Sequence, residues 1–159
     1  MIRFIAAIDS KRGIANEHGL PWQGQLLTDV KYYHNKILSG GTLLMGYGLY
    51  KELPKPYPSG TNYVAIQGID EKLRDGFEPV EEAYEFLKNA KDDVWNLGGA
   101  MLFESTLDLA DELYITQLDK DFQCTKFFPD FHDKFELVSE TKPQTENGIT
   151  FTFQVWKKK

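Results

Sequence analysis

Asp29 is the carboxylate whose place in the sequence says most. Leu26, Val30, Tyr33 and Ile37 recur at i, i+4, i+7 and i+11, the apolar stripe of a helix predicted over about residues 26–38. At ~100° per residue, Asp29 falls about 60° from Leu26, on the rim of that stripe. One reading is a first-turn acid that favours the helix dipole and caps free amides. The other is a carboxylate at the mouth of an apolar cleft, placed to bind a protonated or amide-like pair of nitrogens. Gly98-Gly99-Ala100 leaves a strand and opens a helix, and Gly46 repeats the arrangement. Either glycine alone is explained by a turn needing positive φ, but two such helix starts suit a pyrophosphate lying between them. Trp22, in Leu20-Pro21-Trp22, either staples a long loop to the core or covers a ligand.

Other chemistry is excluded by type or spacing. His18, His34 and His132 show no metal-ligand spacing, and the single cysteine, Cys124, rules out an intramolecular disulfide and any multi-cysteine zinc site. Cys124 reads as an inert small residue, and no Ser-His-Asp pattern or G-x-S-x-G elbow occurs. With 18 Lys+Arg against 24 Asp+Glu, the net charge of −6 argues against nucleic acid as a partner. A 42% hydrophobic and 14% aromatic composition excludes a disordered chain. No apolar run approaches the ~20 residues that span a bilayer, and MIRFIAAID does not read as a signal peptide. The expectation is one domain over residues 1–159, cytoplasmic, without a metal.

The elements that must position these residues alternate. Strands are predicted at 2–8, 42–45, 62–66, 94–97 and 113–118, with further candidates at about 135–140 and 149–156. Helices are expected at about 47–53, after Pro79 on the stripe Val80, Ala83, Tyr84 and Leu87, and after Gly99. Residues 9–24 read as a long irregular connection. Asn147-Gly148 is turn material between the two tail strands, which suggest a C-terminal antiparallel hairpin. The class is α/β, with a mostly parallel sheet covered on both faces. Ligands of such sheets bind at the carboxyl ends of the strands, which points at Ile8–Asp9, Gly46, Ile66, Leu97–Gly99 and Leu118.

Taken together, IAAI at 5–8, Gly19-Leu20-Pro21-Trp22, Asp29 with Tyr33, Leu44-Met45-Gly46, Leu97-Gly98-Gly99, Leu113-Tyr114-Ile115-Thr116 and Phe128-Pro129-Asp130 resemble the dihydrofolate reductase family, in its order and near its spacing. The resemblance implies a three-layer α/β/α fold with a mixed eight-stranded sheet. It implies NADPH-dependent hydride transfer to C6 of 7,8-dihydrofolate, a proton reaching N5, antifolates as inhibitors and a monomer. By the same resemblance Asp29 holds the pterin N3–H and amino group, and Thr116 bonds Asp29. Trp22 keeps a water near the pterin, and Leu20 belongs to a closing loop. Ile5, Ala6, Val30, Tyr33, Leu53, Leu97 and Lys55 contact the substrate. Ala7 and Ile14 meet the nicotinamide carboxamide, with Phe103 near its ring. Gly46, Tyr47, Gly48, Leu49, Gln67, Gly98, Gly99, Ala100 and Met101 face the rest of the cofactor, and the Gly98–Gly99 bond is cis.

The sequence departs from the family where the ligands carry negative charge. The Arg that grips the cofactor 2′-phosphate is Tyr47, the Thr two residues on is Leu49, and a frequent Arg is Met101. Ile66 and Gln67 stand where the third strand ends in polar or basic residues. This predicts weak discrimination between NADPH and NADH. The Arg that clamps the substrate's glutamate tail is replaced by Gly60 or Thr61, so the tail contributes little, and Arg installed at Gly60 would restore it where the backbone tolerates a side chain. The alternatives are a reductase of another pterin or a pyrimidinone without that tail, and a degenerate, non-catalytic relative.

Overall fold

The computed structural model describes residues 1–159. In chain order the strands are β1 (Ile2–Ile8), β2 (Gly13–Ala15), β3 (Thr42–Gly46), β4 (Thr61–Ala65), β5 (Phe77–Val80), β6 (Val94–Asn96), β7 (Glu112–Leu118), β8 (Lys126–Phe127), β9 (Phe135–Glu140), β10 (Gln144–Glu146) and β11 (Ile149–Lys158). The helices are α1 (Leu27–Ile37), α2 (Tyr47–Glu52), α3 (Ala83–Lys88) and α4 (Ala100–Thr106). The main sheet runs β10-β11-β7-β1-β6-β3-β4-β5. From β7 to β5 every pairing is parallel, and β11 lies antiparallel on β7. β10 pairs with Ile149–Phe151 of β11 and β9 with Gln154–Lys158, on the edge away from β7. Nine strands therefore fill eight positions, the count that the resemblance implies.

Period-two alternation sorts side chains to two faces. Phe4 and Ile8 of β1 join a cluster with Phe103 of α4, whereas Ile5 joins Ile37 of α1 and Tyr50 of α2. On β3, Leu43 and Met45 follow Ile5, and Leu44 packs with Leu87 of α3 and Leu102 of α4. So α1 and α2 cover one face and α3 and α4 the other. On β7, Leu113 and Ile115 are in the α4-side core, which leaves Tyr114 and Thr116 on the α1 side.

Three local expectations differ from the structure. Pro79 and Val80 belong to β5, and α3 starts only at Ala83. The stripe counted from Val80 joined a strand residue to a helix, and proline is admissible there because β5 is an edge strand. The 9–24 connection contains β2, which pairs with β8. Asn147-Gly148 joins β10 to β11, not β9 to β11. Both residues have positive φ, 52° and 76°, as a two-residue type I′ hairpin requires.

Candidate active site

Asp29 sits in the first turn of α1, and its Oδ1 accepts a 2.6 Å hydrogen bond from Thr116 Oγ1 on β7. The bond spans the gap between the helix layer and the sheet: Asp29 is a first-turn acid, but its side chain caps no helix amide and is aimed at the sheet. Burial pushes its carboxyl above the ordinary carboxylate range. The Thr116 bond opposes that shift, and the charge of Glu146 adds to it. Glu146 is fixed nearby by accepting from the Thr28 backbone N–H at 3.1 Å. One face of the Asp29 carboxylate is thus occupied, in a half-buried setting that strengthens any further charge-assisted bond.

The space beside it follows from strand lengths. β6 pairs with β1 only from Ile2 to Phe4 and with β3 only from Thr42 to Leu44, yet β1 continues to Ile8 and β3 to Gly46. Beyond Asn96 the sheet is breached, and Ile5 to Ile8 have a strand partner on the β7 side alone. Ile5, Ala6 and Ala7 line one wall of the breach. Tyr33 of α1 packs into the same cluster as Ile5, and Val30, three residues earlier, is 43% exposed despite its place on the apolar stripe. Leu53, just past α2, and Tyr57 close the far end, where the Tyr33 and Tyr57 hydroxyls approach to 3.5 Å. Burial pushes the Tyr33 hydroxyl well above the ordinary tyrosine range and raises that of Tyr57, which the Tyr33 bond partly opposes, so both rings are neutral. A flat, neutral, hydrogen-bonding ring system fits such walls.

At the other side of the breach, Leu97-Gly98-Gly99 turns from β6 into α4. The Gly98–Gly99 peptide is cis and Gly98 has φ of 80°. Gly46 N–H donates to Gly98 O at 2.6 Å, and Gly98 N–H donates to Asn96 Oδ1 at 2.9 Å. Asn96 is wholly buried and also donates to Thr106 Oγ1 at 3.2 Å. A Cβ on Gly98 would lie 2.3 Å from Phe103, whereas one on Gly48 or Gly99 would meet nothing within 4 Å. The glycines therefore differ in role: Gly98 makes room for the core beneath, and Gly48 and Gly99 border open space. Ala100 begins α4 there, and Ile66 is buried while Gln67 is exposed at the end of β4.

The other expected contact residues divide into buried and exposed ones. Phe103 is buried between Phe4 and Phe128, at ring distances of 5.4 and 4.9 Å, and supports Gly98 from below. Trp22 is 3% exposed in a cluster with Leu26, Leu118 and Phe151, so its ring staples the loop. Leu20, two residues earlier, is exposed. Ile14 lies in β2, its side chain in the α4-side core. Leu97 is buried on the α2 side, Leu49 is half-buried there, and Met101 is 85% exposed. Lys55 is exposed. Gly60 has φ of 69°, and any Cβ there would lie 1.8 Å from Gly41 O. An Arg at Gly60 is therefore sterically closed, so the backbone tolerance on which that substitution depended is not met. Asn62 instead ties down the segment, exchanging bonds of 2.9 and 3.0 Å with the Tyr57 backbone.

Tyr57, Asn62, Asn96 and Glu146 are site residues that the sequence pattern did not single out. For the two asparagines a signal existed, an amide side chain within an otherwise apolar strand. A depression of about 600 Å³ lies elsewhere, bordered by Asp9, Arg12, Gln117 and His132. It reaches the Trp22 cluster at Leu118 and Phe151 but not the Asp29–Thr116 pair or the breach, and its polar border suits solvent better than an apolar ring.

The family model for dihydrofolate reductase matches residues 1–158. A dihydrofolate reductase of Bacillus subtilis (strain 168) is 30% identical, covering 100% of this chain and 95% of its own length. One from Staphylococcus aureus is 31% identical over 96% of this chain and 94% of its own. Among solved structures, dihydrofolate reductase from Enterococcus faecalis complexed with NADP(H) and RAB-propyl is similar with a TM-score of 0.85. That likeness is one of fold, at 23% identity, covering 99% of this chain and 96% of that one.

Proposed function

The chain belongs to the dihydrofolate reductase family, and from that premise we propose that it reduces 7,8-dihydrofolate to 5,6,7,8-tetrahydrofolate with hydride from NADPH. The observation that carries the reading is the Asp29–Thr116 pair, set across the layers beside the breach between β1 and β6. Asp29 takes the pterin N3–H and exocyclic amino group, a donor pair that a carboxylate matches with two oxygens. Thr116 holds the carboxylate to one rotamer, so that orientation is set before the substrate arrives. The negative charge of Asp29 raises the proton affinity of the bound ring and so favours protonation at N5. Ile5, Ala6, Val30, Tyr33 and Leu53 supply the walls, and Lys55 is an exposed neighbour of the tail.

NADPH, when bound, supplies the hydride. The residues fit it: the backbone at Ala7 and Ile14 would take the nicotinamide carboxamide. The backbone at Gly48, Gly99 and Ala100 would take the pyrophosphate, with open space above Gly48 and Gly99, while Gly46 and Gly98, whose N–H groups are engaged with Gly98 O and Asn96 Oδ1, shape the turn beneath it. Tyr47, Leu49, Gln67 and Met101 would border the adenosine. Leu20 rides on a loop anchored by Trp22, able to cover the breach and exclude water. The single cysteine, buried and unpaired, suits a reducing compartment such as the cytoplasm, and a monomer is what the family resemblance implies.

Absorbance of NADPH followed with dihydrofolate tests this; turnover abolished by an antifolate is the expected result, and no turnover with dihydrofolate would overturn it. A second reading, a dihydropterin without a glutamate tail as the preferred substrate, is favoured by the steric closure at Gly60. A kcat/KM higher for the tail-less compound would support it.

A further inference from the structure

The topology fixes the direction in which a dinucleotide would run. Asp29 and Thr116 mark the substrate ring at β7 and β1, so the reacting nicotinamide must lie at β1. The Gly98–Gly99 and Gly46 turns lie at the ends of β6 and β3. Strands are spaced about 4.8 Å apart, so one further step in the same direction brings the adenosine ribose to the end of β4. Two side chains meet there: the Tyr47 hydroxyl, at the start of α2, donates to the Glu71 carboxylate in the connection after β4.

We propose that Tyr47 and Glu71 are a specificity-determining pair for the cofactor, accepting a free ribose 2′-hydroxyl and giving a 2′-phosphate no advantage. This rests on the cofactor reading above. A 2′-hydroxyl can donate to the Glu71 carboxylate, the role an acidic residue plays on the ribose of other dinucleotide sites. A 2′-phosphate would bring a dianion against that carboxylate and needs a forked, preorganised cation to offset it. The candidate cations do not supply one. Arg74 is spent beneath α2, donating to Tyr50 O at 2.7 Å, the Tyr50 hydroxyl at 3.2 Å and Pro54 O at 3.4 Å. Lys51 lies 5.3 Å over the Tyr47 ring, and Lys72 is exposed beside Glu71. Exposed lysines set against Asp70, Glu71 and Asp75 return little. Met101, across the cleft, has no charge.

Calorimetric binding of adenosine diphosphoribose and of its 2′-phosphate to the intact protein reads the preference without turnover. The two Kd values should agree within about tenfold, and kcat/KM for NADPH and NADH should agree within the same range. Glu71→Gln should tighten the 2′-phosphorylated ligand by about three- to tenfold and weaken the unphosphorylated one. Tyr47→Arg should raise the 2′-phosphate preference by more than about tenfold. A wild-type preference for the phosphorylated ligand above about a hundredfold, or equal effects of Glu71→Gln on both ligands, would overturn the inference and leave the reductase reading standing. Binding of neither ligand would overturn both.

Discussion

Asp29→Asn should make the free protein more stable at neutral pH while removing most of its turnover. Burial holds the folded-state pKa of Asp29 above its unfolded value. Between the two values the folded protein therefore binds more protons than the unfolded one. The stability this group allows is complete below the unfolded pKa and declines as pH rises through the folded pKa. At neutral pH the ionised carboxylate is a standing cost, worth about 1.4 kcal/mol for every unit between the two values. Asparagine removes the cost and keeps the 2.6 Å bond, because its amide oxygen accepts from Thr116 as well. What it loses is one of two anionic acceptors. A charge-assisted bond is worth about 1.5–3 kcal/mol, so kcat/KM should fall by about 10- to 150-fold. Urea titrations should give a higher midpoint for the variant at about pH 8 and converging midpoints at about pH 3, with equal slopes. A variant less stable than the wild type at pH 8, or one with unchanged kcat/KM, would refute the argument.

Gly60→Ala should lower the melting temperature by about 10 °C, because a Cβ 1.8 Å from Gly41 O must push apart the starts of β3 and β4 at a cost of about 3–4 kcal/mol; calorimetry showing a shift under about 2 °C would count against the packing described. Glu146→Gln removes a charge that raises the Asp29 pKa. The pH below which a diaminopyrimidine antifolate loses affinity should therefore move down, as fluorescence titrations would show. Burial, with Asp9 beside it, pushes the Cys124 thiol up to about 11. Its labelling by a thiol reagent at about pH 8 should be slow and become fast only in denaturant.

What could be read from the sequence is what is local. The stripe from Leu26 to Ile37 located α1 and set Asp29 on its rim, and the carboxyl ends of the strands located Gly46 and Gly98. The partner of Asp29 is 87 residues away, and nothing in the pattern of β7 alone selects Thr116; the family resemblance supplied it. Periodicity misled at Val80, where a strand ends close enough to α3 to extend its stripe. Phe103 and Trp22 are large aromatics for which burial and ligand contact give the same sequence signal. The closure at Gly60 depends on Gly41, brought alongside only when β3 and β4 pair. The Tyr47–Glu71 contact likewise exists only because the connection after β4 folds back over α2.

The position of Pro79 has a consequence for self-association. Val80 O accepts from Ile66 N–H at 2.9 Å, so the peptide groups of Pro79 turn to the outer side of β5. An incoming strand would find a missing donor in the middle of a four-residue edge, beside exposed Glu78. The opposite margin is split between the three-residue β10, which bears Glu146, and β9, which bears Glu136 and Glu140, and β9 meets β11 across a bulge at Val155/Trp156. Interrupted, charged and short margins deny a second molecule a continuous template. The sheet is thereby guarded against edge-to-edge growth into fibrils, while its ligand cleft opens through the middle, where β6 stops short.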